Sequence, residues 1–320
     1  MEKILRIENL KVTFGNNEEI IAVNDISLDF IRGETLALAG ESGSGKTVTA
    51  LAILKLIEPP GLIKNGKIYY RDFDLFSLTD KQLNAIRGKE ISMIFQEPST
   101  AYDNFFTVGQ QFSEIMKWHL RFVSSEAKRA SIEWLSKIGF RIPHQVYDSY
   151  PFQLSGGMQQ RAMIAMALCC NPTILIADEP TTSLDVISQA QIITLILNLK
   201  KEMDLSVLLI SHDFGLIAQS ADRVAIMYKG RIAEIAPVKE LYEHPAHHYT
   251  RMLLKSIPDF KSDSFPYTHT SSLSDPMKTH TLKHGCPYYP RCNARINNCK
   301  EKYPPLTIIS AEHHVFCWNL

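Results

Sequence analysis

The sequence has no excess of either charge and no long apolar run. Its 320 residues include 34 basic and 34 acidic side chains, so no overall field attracts the chain to nucleic acid or to an anionic membrane surface. No stretch approaches the roughly 18 consecutive apolar residues that suggest a transmembrane helix. The first residues also lack the basic, apolar and small-residue order of a signal peptide. Together with a hydrophobic content of 45%, these absences predict a globular cytosolic protein.

Cysteine is scarce along most of the chain. Cys169 and Cys170 lie in an apolar stretch, which predicts buried thiols that pack as small hydrophobic groups. The other four are spaced Cys-x5-Cys-x6-Cys-x17-Cys near the end of the sequence, at Cys286, Cys292, Cys299 and Cys317. In a reducing compartment such a group is more typical of a metal site than of disulfides. Tetrathiolate Zn²⁺, an iron–sulfur cluster and free packing thiols all remain possible interpretations.

The spacing of apolar residues predicts a parallel α/β core with a helical insertion. Residues 4–40 have the alternation of strands, including a short buried strand at Thr35–Ala39, and a helix is expected from Thr47 to about Ile57. The remaining pattern consists of helical spacing at 107–140 and about 187–202, strands at 173–177 and 206–210, and a polar linker at 258–283. We find no internal repeat. The insertion between the strands is about 60 residues long.

A glycine-rich loop joins the buried strand to the helix that follows it. Its sequence, which fits the pattern of a phosphate-binding loop, is Gly40-Glu41-Ser42-Gly43-Ser44-Gly45-Lys46-Thr47. Glycines allow backbone N–H groups to point at a phosphate beside the helix N-terminus. Lys46 would reach the β- and γ-phosphates, and the Thr47 hydroxyl would bind Mg²⁺. The alternative is a chance Gly/Ser turn, which the strand–loop–helix context disfavours.

Two carboxylates follow the predicted strand at 173–177. Asp178 and Glu179 would lie at the carboxyl edge of the sheet, where open α/β folds bind their ligands. Asp178 suits the Mg²⁺ shell, and Glu179 suits the orientation of an attacking water as the catalytic carboxylate. Alone the pair could be a solvated loop. Beside a phosphate-binding loop the functional interpretation is favoured, and the combination is typical of many nucleoside triphosphatases.

The segment Leu154-Ser155-Gly156-Gly157-Met158-Gln159-Gln160-Arg161 resembles the signature motif of the ATP-binding-cassette (ABC) ATPases. The resemblance implies that four residues close on the γ-phosphate held by an opposite subunit, namely Ser155, Gly156, Gly157 and Gln159. It also implies an active form in which two cassettes hold ATP between them. A small turn that heads a helix suits that role, because its N–H groups form an anion site.

Other positions also match that family in order. Gln96 matches the glutamine that contacts Mg²⁺, and Asp185, in Ser183-Leu184-Asp185, matches the loop that crosses the dimer interface. His212 matches the histidine that contacts the γ-phosphate and takes part in catalysis. Phe14 matches the aromatic residue that stacks on adenine, although Tyr is more usual there.

The resemblance covers nearly the whole chain and is closest to the ATPases of oligopeptide and dipeptide importers, a group that includes nickel and antimicrobial-peptide relatives. It implies a RecA-like parallel sheet, an antiparallel β subdomain and a helical subdomain at about 97–160, all within residues 1–257. A C-terminal extension would occupy residues 258–320, and similar extensions hold a [4Fe-4S] cluster. The segment Ala101-Tyr102-Asp103-Asn104 departs from the family pattern, in a loop that faces the membrane subunits.

The family also implies partners and a place in the cell. The partners are a second ABC ATPase, identical or homologous, two transmembrane permease subunits and, indirectly, an extracytoplasmic substrate-binding protein, with no nucleic acid. The chain would lie at the cytoplasmic face of the membrane. An ABC ATPase that acts on DNA or ribosomes, and an exporter, are alternatives, but no tandem cassette, coiled-coil insertion or fused span is visible.

The four C-terminal cysteines lie far in sequence from every nucleotide motif. We therefore expect ATP binding to persist when Cys286 and Cys292 are replaced. Three histidines near these cysteines, His284, His313 and His314, are interpreted as surface residues or as substitutes for a thiolate.

Overall fold

The computed structural model describes residues 2–15, 19–182, 184–256 and 284–320. The polar linker predicted at 258–283 and Ser183 therefore lie outside the described residues. The strands are β1 (Lys3–Phe14), β2 (Ile20–Ile31), β3 (Thr35–Ala39), β4 (Gly61–Tyr70), β5 (Phe73–Asp74), β6 (Ile91–Ile94), β7 (Ile174–Asp178), β8 (Ser206–Ser211), β9 (Arg223–Tyr228), β10 (Arg231–Pro237), β11 (Thr307–Ile308) and β12 (His314–Val315).

Helices separate most of these strands. They are α1 (Lys46–Ile53), α2 (Asp80–Ile86), α3 (Pro98–Ala101), α4 (Val108–Leu120), α5 (Ser124–Lys137), α6 (Pro143–Asp148), α7 (Gly156–Leu168), α8 (Val186–Met203), α9 (Phe214–Ser220), α10 (Val238–Glu243), α11 (His248–Lys255) and α12 (Asn297–Glu301). Within the described ranges, no helix combines the length and apolar character needed to span a bilayer.

Two sheets organise the chain. The smaller is antiparallel with strand order β2-β1-β4-β5, and the larger has the order β11-β12-β10-β9-β3-β8-β7-β6. In the larger sheet β9, β3, β8, β7 and β6 run parallel, and each short strand is buried along most of its length. Such apolar runs are expected where helices cover both faces of a parallel sheet. The α/β prediction, with its antiparallel β subdomain, is confirmed.

The first helix is shorter than the sequence predicted. It was expected from Thr47 to about Ile57, whereas α1 ends at Ile53. Lys55 adopts a left-handed backbone conformation (φ 51°), which is a common way for a helix to end. The guanidinium of Arg87 then donates hydrogen bonds to the two carbonyls that follow the helix, at 2.9 and 3.0 Å. These contacts replace the bonds that a further helical turn would supply.

The helices α3–α7 lie between β6 and β7 and share one apolar core. Phe112 and Met116 of α4 are fully buried there, as is Leu135 of α5. Their positions agree with the helical spacing predicted for residues 107–140. Cys169 and Cys170 are also buried in this core, which confirms that they pack as small hydrophobic groups.

Residues 284–320 extend the larger sheet at its edge. β12 pairs with β10, and the N–H of Phe316 donates to the carbonyl of Ala233 at 2.9 Å. His313 is 2% exposed, and its Nε2 lies 2.7 Å from the carboxylate of Glu234. The interpretation of His313 as a surface residue is therefore wrong, because its ring is needed beside a buried carboxylate, whereas His284 is exposed.

The buried ring of Phe112 gives a test of this core. Phe112→Ala should lower the free energy of unfolding by about 3–5 kcal/mol, because the ring is removed from a packed interior and leaves a cavity. Phe105→Ala is the matched control, since Phe105 is 89% exposed and Phe112 is 0% exposed. Its effect should stay within about 0.5 kcal/mol. Urea unfolding of both variants measures the difference, and equal losses would contradict this packing.

Candidate nucleotide-binding site

The parallel strands bring the predicted site residues to one edge of the larger sheet. β3, β8 and β7 are neighbours, and Ala39 pairs in register with Ser211 while Asp178 pairs with Ile210. The segments that follow these strands therefore leave the sheet side by side, at its carboxyl edge. They carry the glycine-rich loop, Glu179 and His212.

Two glycines fix the loop against the strands beneath it. Gly40 has φ 149° and Gly45 has φ 104°, a region that favours glycine. A Cβ on Gly40 would collide with the carbonyl of Met227, and one on Gly45 would collide with the carbonyl of Ala22. Ser42 and Gly43 are exposed, whereas Ser44 is buried. The loop therefore packs directly against the backbone of neighbouring strands, and the outer face of the loop is exposed.

Lys46 begins α1 and its ammonium group turns back into the loop. The Nζ atom donates to the carbonyls of Gly40 (2.9 Å) and Glu41 (3.0 Å) and to the Ser44 hydroxyl (3.4 Å). Burial lowers the pKa of Lys46, and the nearby carboxylates of Glu179, Asp178 and Glu41 oppose that shift. This arrangement holds a positive charge inside the loop, at the place where a phosphate chain would need it.

Thr47 and Asp178 form an oxygen pair beside Lys46. The Thr47 hydroxyl donates to Oδ1 of Asp178 at 3.2 Å, and Asp178 is only 1% exposed. Burial raises the pKa of Asp178 to about 6, the Thr47 hydrogen bond opposes the shift, and the neighbouring Glu179 charge adds to it. A buried carboxylate beside a hydroxyl is a donor set that suits Mg²⁺. A divalent cation would also stabilise the charged form of Asp178.

The Glu179 carboxylate is contacted by its own turn and by two other segments. Its Oε2 accepts hydrogen bonds from the amide of Gln96 (3.1 Å) and the hydroxyl of Thr182 (2.9 Å). Its Oε1 lies 3.1 Å from Nδ1 of His212. The carboxylate is largely enclosed while the His212 ring is mostly exposed. The structure therefore brings together Gln96, Glu179 and His212, which the sequence predicted for one site.

The backbone at Glu179 is strained in a way that places its side chain. Its φ is 44°, a left-handed conformation that costs a non-glycine residue about 1–2 kcal/mol. Strain of this kind is typical of functional sites. Thr182 supports the turn, because its N–H donates to the Glu179 carbonyl at 3.1 Å. Thr182 was missed by the sequence analysis, although a hydroxyl residue three positions after the carboxylate was a usable signal.

The signature residues lie on a separate, open face at the start of α7. Ser155 caps this helix and its hydroxyl accepts from the N–H of Met158, while the Gln159 amide donates to the carbonyl of Pro151 at 2.8 Å. Gly156 is exposed and nothing lies within 4 Å of where its Cβ would be. These contacts are local, so the N-terminus of α7 remains open for an external group.

The Asp185 loop lies beside this face. A Cβ on Gly157 would lie 4.0 Å from Leu184, the residue before Asp185. Asp185 caps α8 by accepting from the N–H (3.0 Å) and hydroxyl (2.7 Å) of Ser188, which lowers its pKa. Phe14 stands elsewhere, half-buried at the end of β1, where its ring lies against Gly61. Its role in adenine stacking stays a prediction.

The C-terminal segment contacts the glycine-rich loop directly. The guanidinium of Arg291 donates two hydrogen bonds to the carboxylate of Glu41, at 2.8 and 3.0 Å. Cys292 is the next residue in the chain, so the cysteine segment is not remote from the nucleotide motifs. The two segments are thus distant in sequence but close in space, and the persistence of ATP binding after replacement of Cys286 and Cys292 stays a prediction. No local sequence pattern could predict the contact between Arg291 and Glu41, which are 250 residues apart.

The four C-terminal cysteines line one small cavity together with His247, His248 and aromatic side chains. All are free thiols, and burial raises the pKa of Cys286 to about 11. Within residues 284–320 and the other described ranges, no three His, Cys, Asp or Glu donors are close enough to hold a single metal ion. The shared cavity agrees with the predicted grouping, while the nature of any bound group stays a hypothesis.

The glycine-rich loop follows β3, and the carboxylate pair lies at the end of β7, at the same edge of the mixed sheet. This arrangement defines a P-loop nucleoside triphosphatase with a helical insertion. Comparison with known sequences narrows the class. The profile described as "ABC transporter" matches residues 23–182, and that of the "Oligopeptide/dipeptide transporter, C-terminal region" matches residues 233–299. The chain belongs to the ABC transporter ATPases.

Individual relatives support this assignment along the whole chain. A dipeptide transport ATP-binding protein of Bacillus subtilis (strain 168) is 43% identical over 320 residues, which cover 99% of this chain and 95% of the relative. An oligopeptide transport ATP-binding protein of the same organism is 41% identical, over 99% of this chain and 97% of the relative. An ATP-binding cassette solved as a dimer in a post-hydrolysis state with ADP and Pi has a TM-score of 0.66 and 26% identity, over 73% of this chain and 98% of that one.

Proposed function

We propose that this chain is the ATP-hydrolysing subunit that powers a membrane importer of dipeptides or oligopeptides. The observation that carries the proposal is the Glu179 carboxylate, held by Gln96, Thr182 and His212 next to the buried Asp178 and its hydrogen-bond partner Thr47. The relatives named as dipeptide and oligopeptide transport proteins supply the substrate class. One alternative is that the importer carries nickel, a metallophore or an antimicrobial peptide instead. A further alternative is an ABC ATPase without a transport role.

The chemistry follows from the positions of these side chains. Lys46 and the loop N–H groups would bind the β- and γ-phosphates, and Thr47, Asp178 and Gln96 would hold the Mg²⁺ that neutralises phosphate charge. Glu179 would orient a water molecule for attack on the γ-phosphate and accept its proton. His212, on the exposed side of Glu179, would contact the γ-phosphate from the open face of the site.

The open α7 face suggests that each ATP site is completed by another cassette. Ser155, Gly156, Gly157 and Gln159 would bind the γ-phosphate held by a second ABC ATPase, identical or homologous, and Asp185 would lie at the interface. Closure of the pair would move two transmembrane permease subunits, which receive substrate from an extracytoplasmic binding protein. The chain would act as a peripheral subunit on the cytoplasmic face of the membrane. ATP binding would drive closure, and hydrolysis would reset it.

Glu179→Gln tests the proposed catalytic carboxylate. The amide keeps the size and hydrogen-bonding capacity of the side chain but cannot accept the proton of the attacking water. ATP turnover of the assembled transporter should therefore fall by at least about 100-fold, while ATP binding persists and a closed ATP-bound dimer accumulates. Phosphate release and size-exclusion chromatography with ATP measure the two effects.

Glu133→Gln is the matched control, because it makes the same chemical change away from the site. Glu133 is exposed on α5. Its turnover should equal that of the unaltered protein. Near-normal hydrolysis by Glu179→Gln, with partner subunits present, would show that Glu179 does not have this role.

We further propose that Cys286, Cys292, Cys299 and Cys317 hold a [4Fe-4S] cluster. The support is that all four thiols line one cavity and that four cysteine thiolates are the usual ligands of such a cluster. Zinc held by the same four thiolates is the alternative. Either metal group would favour the thiolate forms, against the burial that raises the pKa of Cys286.

Metal analysis tests this proposal. Protein purified without oxygen should be brown, absorb near about 400 nm and contain about four iron atoms per chain. Replacing Cys286 and Cys292 together with Ser should remove the colour and the iron, because two of the four ligands are lost. Cys169→Ala is the control, since this buried thiol lies in the helical core and should leave the iron content unchanged. Stoichiometric zinc would select the zinc alternative, and four alkylatable thiols without metal would refute both.

A further inference from the structure

The contact between Arg291 and Glu41 joins the C-terminal segment to the glycine-rich loop. We propose that Arg291 is a positioning residue for nucleotide binding, which acts through Glu41 on the conformation of that loop. The inference rests on the proposed role of the loop as the phosphate site. It assigns a function at the nucleotide site to a residue of the C-terminal segment.

The geometry of the pair is specific. Both terminal nitrogens of Arg291 donate to Glu41, one to each carboxylate oxygen, at 2.8 and 3.0 Å. The side chains are 21% and 36% exposed, so the pair is partly shielded from water. Isolated surface ion pairs contribute little, but a two-point arginine–carboxylate contact fixes orientation as well as distance.

Glu41 passes this constraint to the rest of the loop. Its carbonyl accepts from the Lys46 ammonium at 3.0 Å and from the N–H of Ser44 at 3.2 Å. Its own N–H donates to the Tyr249 hydroxyl at 3.0 Å. The carboxylate, carbonyl and N–H of one residue are therefore all engaged, and rotation of Glu41 would displace an acceptor of the lysine expected to bind the phosphates.

The Arg291 side chain is itself held in place by aromatic rings. Its guanidinium lies 5.8 Å from the ring centroids of both Tyr228 and Tyr288, within the range of a cation–π contact. Those two rings pack with Tyr249, with centroids 4.5 to 5.4 Å apart. The cluster joins β9, α11 and the C-terminal segment beneath the loop. This packing limits the conformations of Arg291 and favours a directing role.

The backbone of Arg291 is positioned by the cysteine segment. Arg291 ends a short 3₁₀ turn, Tyr289–Arg291, in which the N–H of Tyr289 donates to the carbonyl of Cys286 at 3.0 Å. Cys292 follows immediately and its N–H returns to the Tyr289 carbonyl at 3.3 Å. The guanidinium that binds Glu41 therefore projects from a turn between two of the cavity cysteines. A change in the fold of that turn would reach the loop through Arg291.

Nucleotide affinity of the purified full chain tests the proposal. Arg291→Gln and Glu41→Gln should each weaken ATP binding by about 5- to 30-fold, as expected when a partly shielded two-point ion pair that orients the loop is lost. The double variant should be no weaker than the worse single variant, because both remove the same contact. The ATP affinity of Arg291→Lys should lie between those of the unaltered chain and of Arg291→Gln, because an ammonium keeps the charge but cannot make the two-point contact.

In the assembled transporter the same variants should raise the KM for ATP and leave kcat within about threefold, because Arg291 orients the loop and does not touch the reacting atoms. Arg295→Gln is the matched control. It removes the same charge from the same segment, but Arg295 is exposed, donates to the carbonyl of Pro290 and lies over the Tyr289 ring. Its ATP affinity should equal that of the unaltered chain.

Unchanged ATP affinity in both Arg291→Gln and Glu41→Gln would overturn the inference, as would an equal loss in Arg295→Gln. Additive losses in the double variant would show that the two residues act separately. Should Arg291→Gln fail to fold, the near-isosteric Glu41→Gln carries the test alone. Lys46→Ala separates the two proposals: if it retains full ATP affinity, the assigned phosphate site is wrong, whereas loss of binding there with none in Arg291→Gln refutes only the present inference.

Discussion

The register of three parallel strands is the constraint on which the site depends. β3, β8 and β7 pair so that Ala39 lies opposite Ser211 and Asp178 opposite Ile210. The loop with Lys46, the Glu179 turn and the His212 turn therefore leave the sheet at one level. A one-residue slip would turn side chains to the opposite face and would separate the Thr47 hydroxyl from Asp178. Because these strands are buried and apolar, such a slip would be costly. Packing of the core therefore fixes the relative positions of the site residues.

One ammonium group and two carboxylates lie close together at this edge of the sheet. Lys46 is held by carbonyls and a hydroxyl of its own loop, so its positive charge remains directed at the phosphate position. Burial raises the pKa of Asp178, and the neighbouring Glu179 carboxylate adds to the shift. Buried like charges of this kind disfavour each other. A site with these properties gains stability from a polyanion and a divalent cation bound together, which is the form in which ATP is used.

The sequence predicted the parts of this site that are encoded locally. Gly40 to Thr47, Asp178 and Glu179 are contiguous motifs beside strands with strong apolar patterns, and the helical spacing around Phe112 agrees with the observed core. Contacts between distant segments could not be predicted. Arg291 contacts Glu41 only because the C-terminal segment packs against β10 and the tyrosine cluster. The end of α1 depends on Arg87, and the burial of His313 depends on Glu234, neither of which has a local signal. The cysteine spacing indicated a metal site but left zinc, an iron–sulfur cluster and free packing thiols open, because spacing alone does not give the geometry of the cavity that the four residues line.

The central claim is that this chain supplies one face of a nucleotide site that a second cassette completes. Gly156→Asp tests it most directly, because a Cβ at this exposed position would meet nothing within 4 Å, so the substitution should leave the fold intact. ATP affinity of the isolated chain should stay within about twofold, whereas ATP turnover of the assembled transporter should fall at least about tenfold, since a carboxylate would repel the γ-phosphate of the opposing site. Gly156→Ala, which adds no charge, should have a smaller effect on turnover. Equal loss of ATP affinity in the isolated Gly156→Asp chain would contradict the claim.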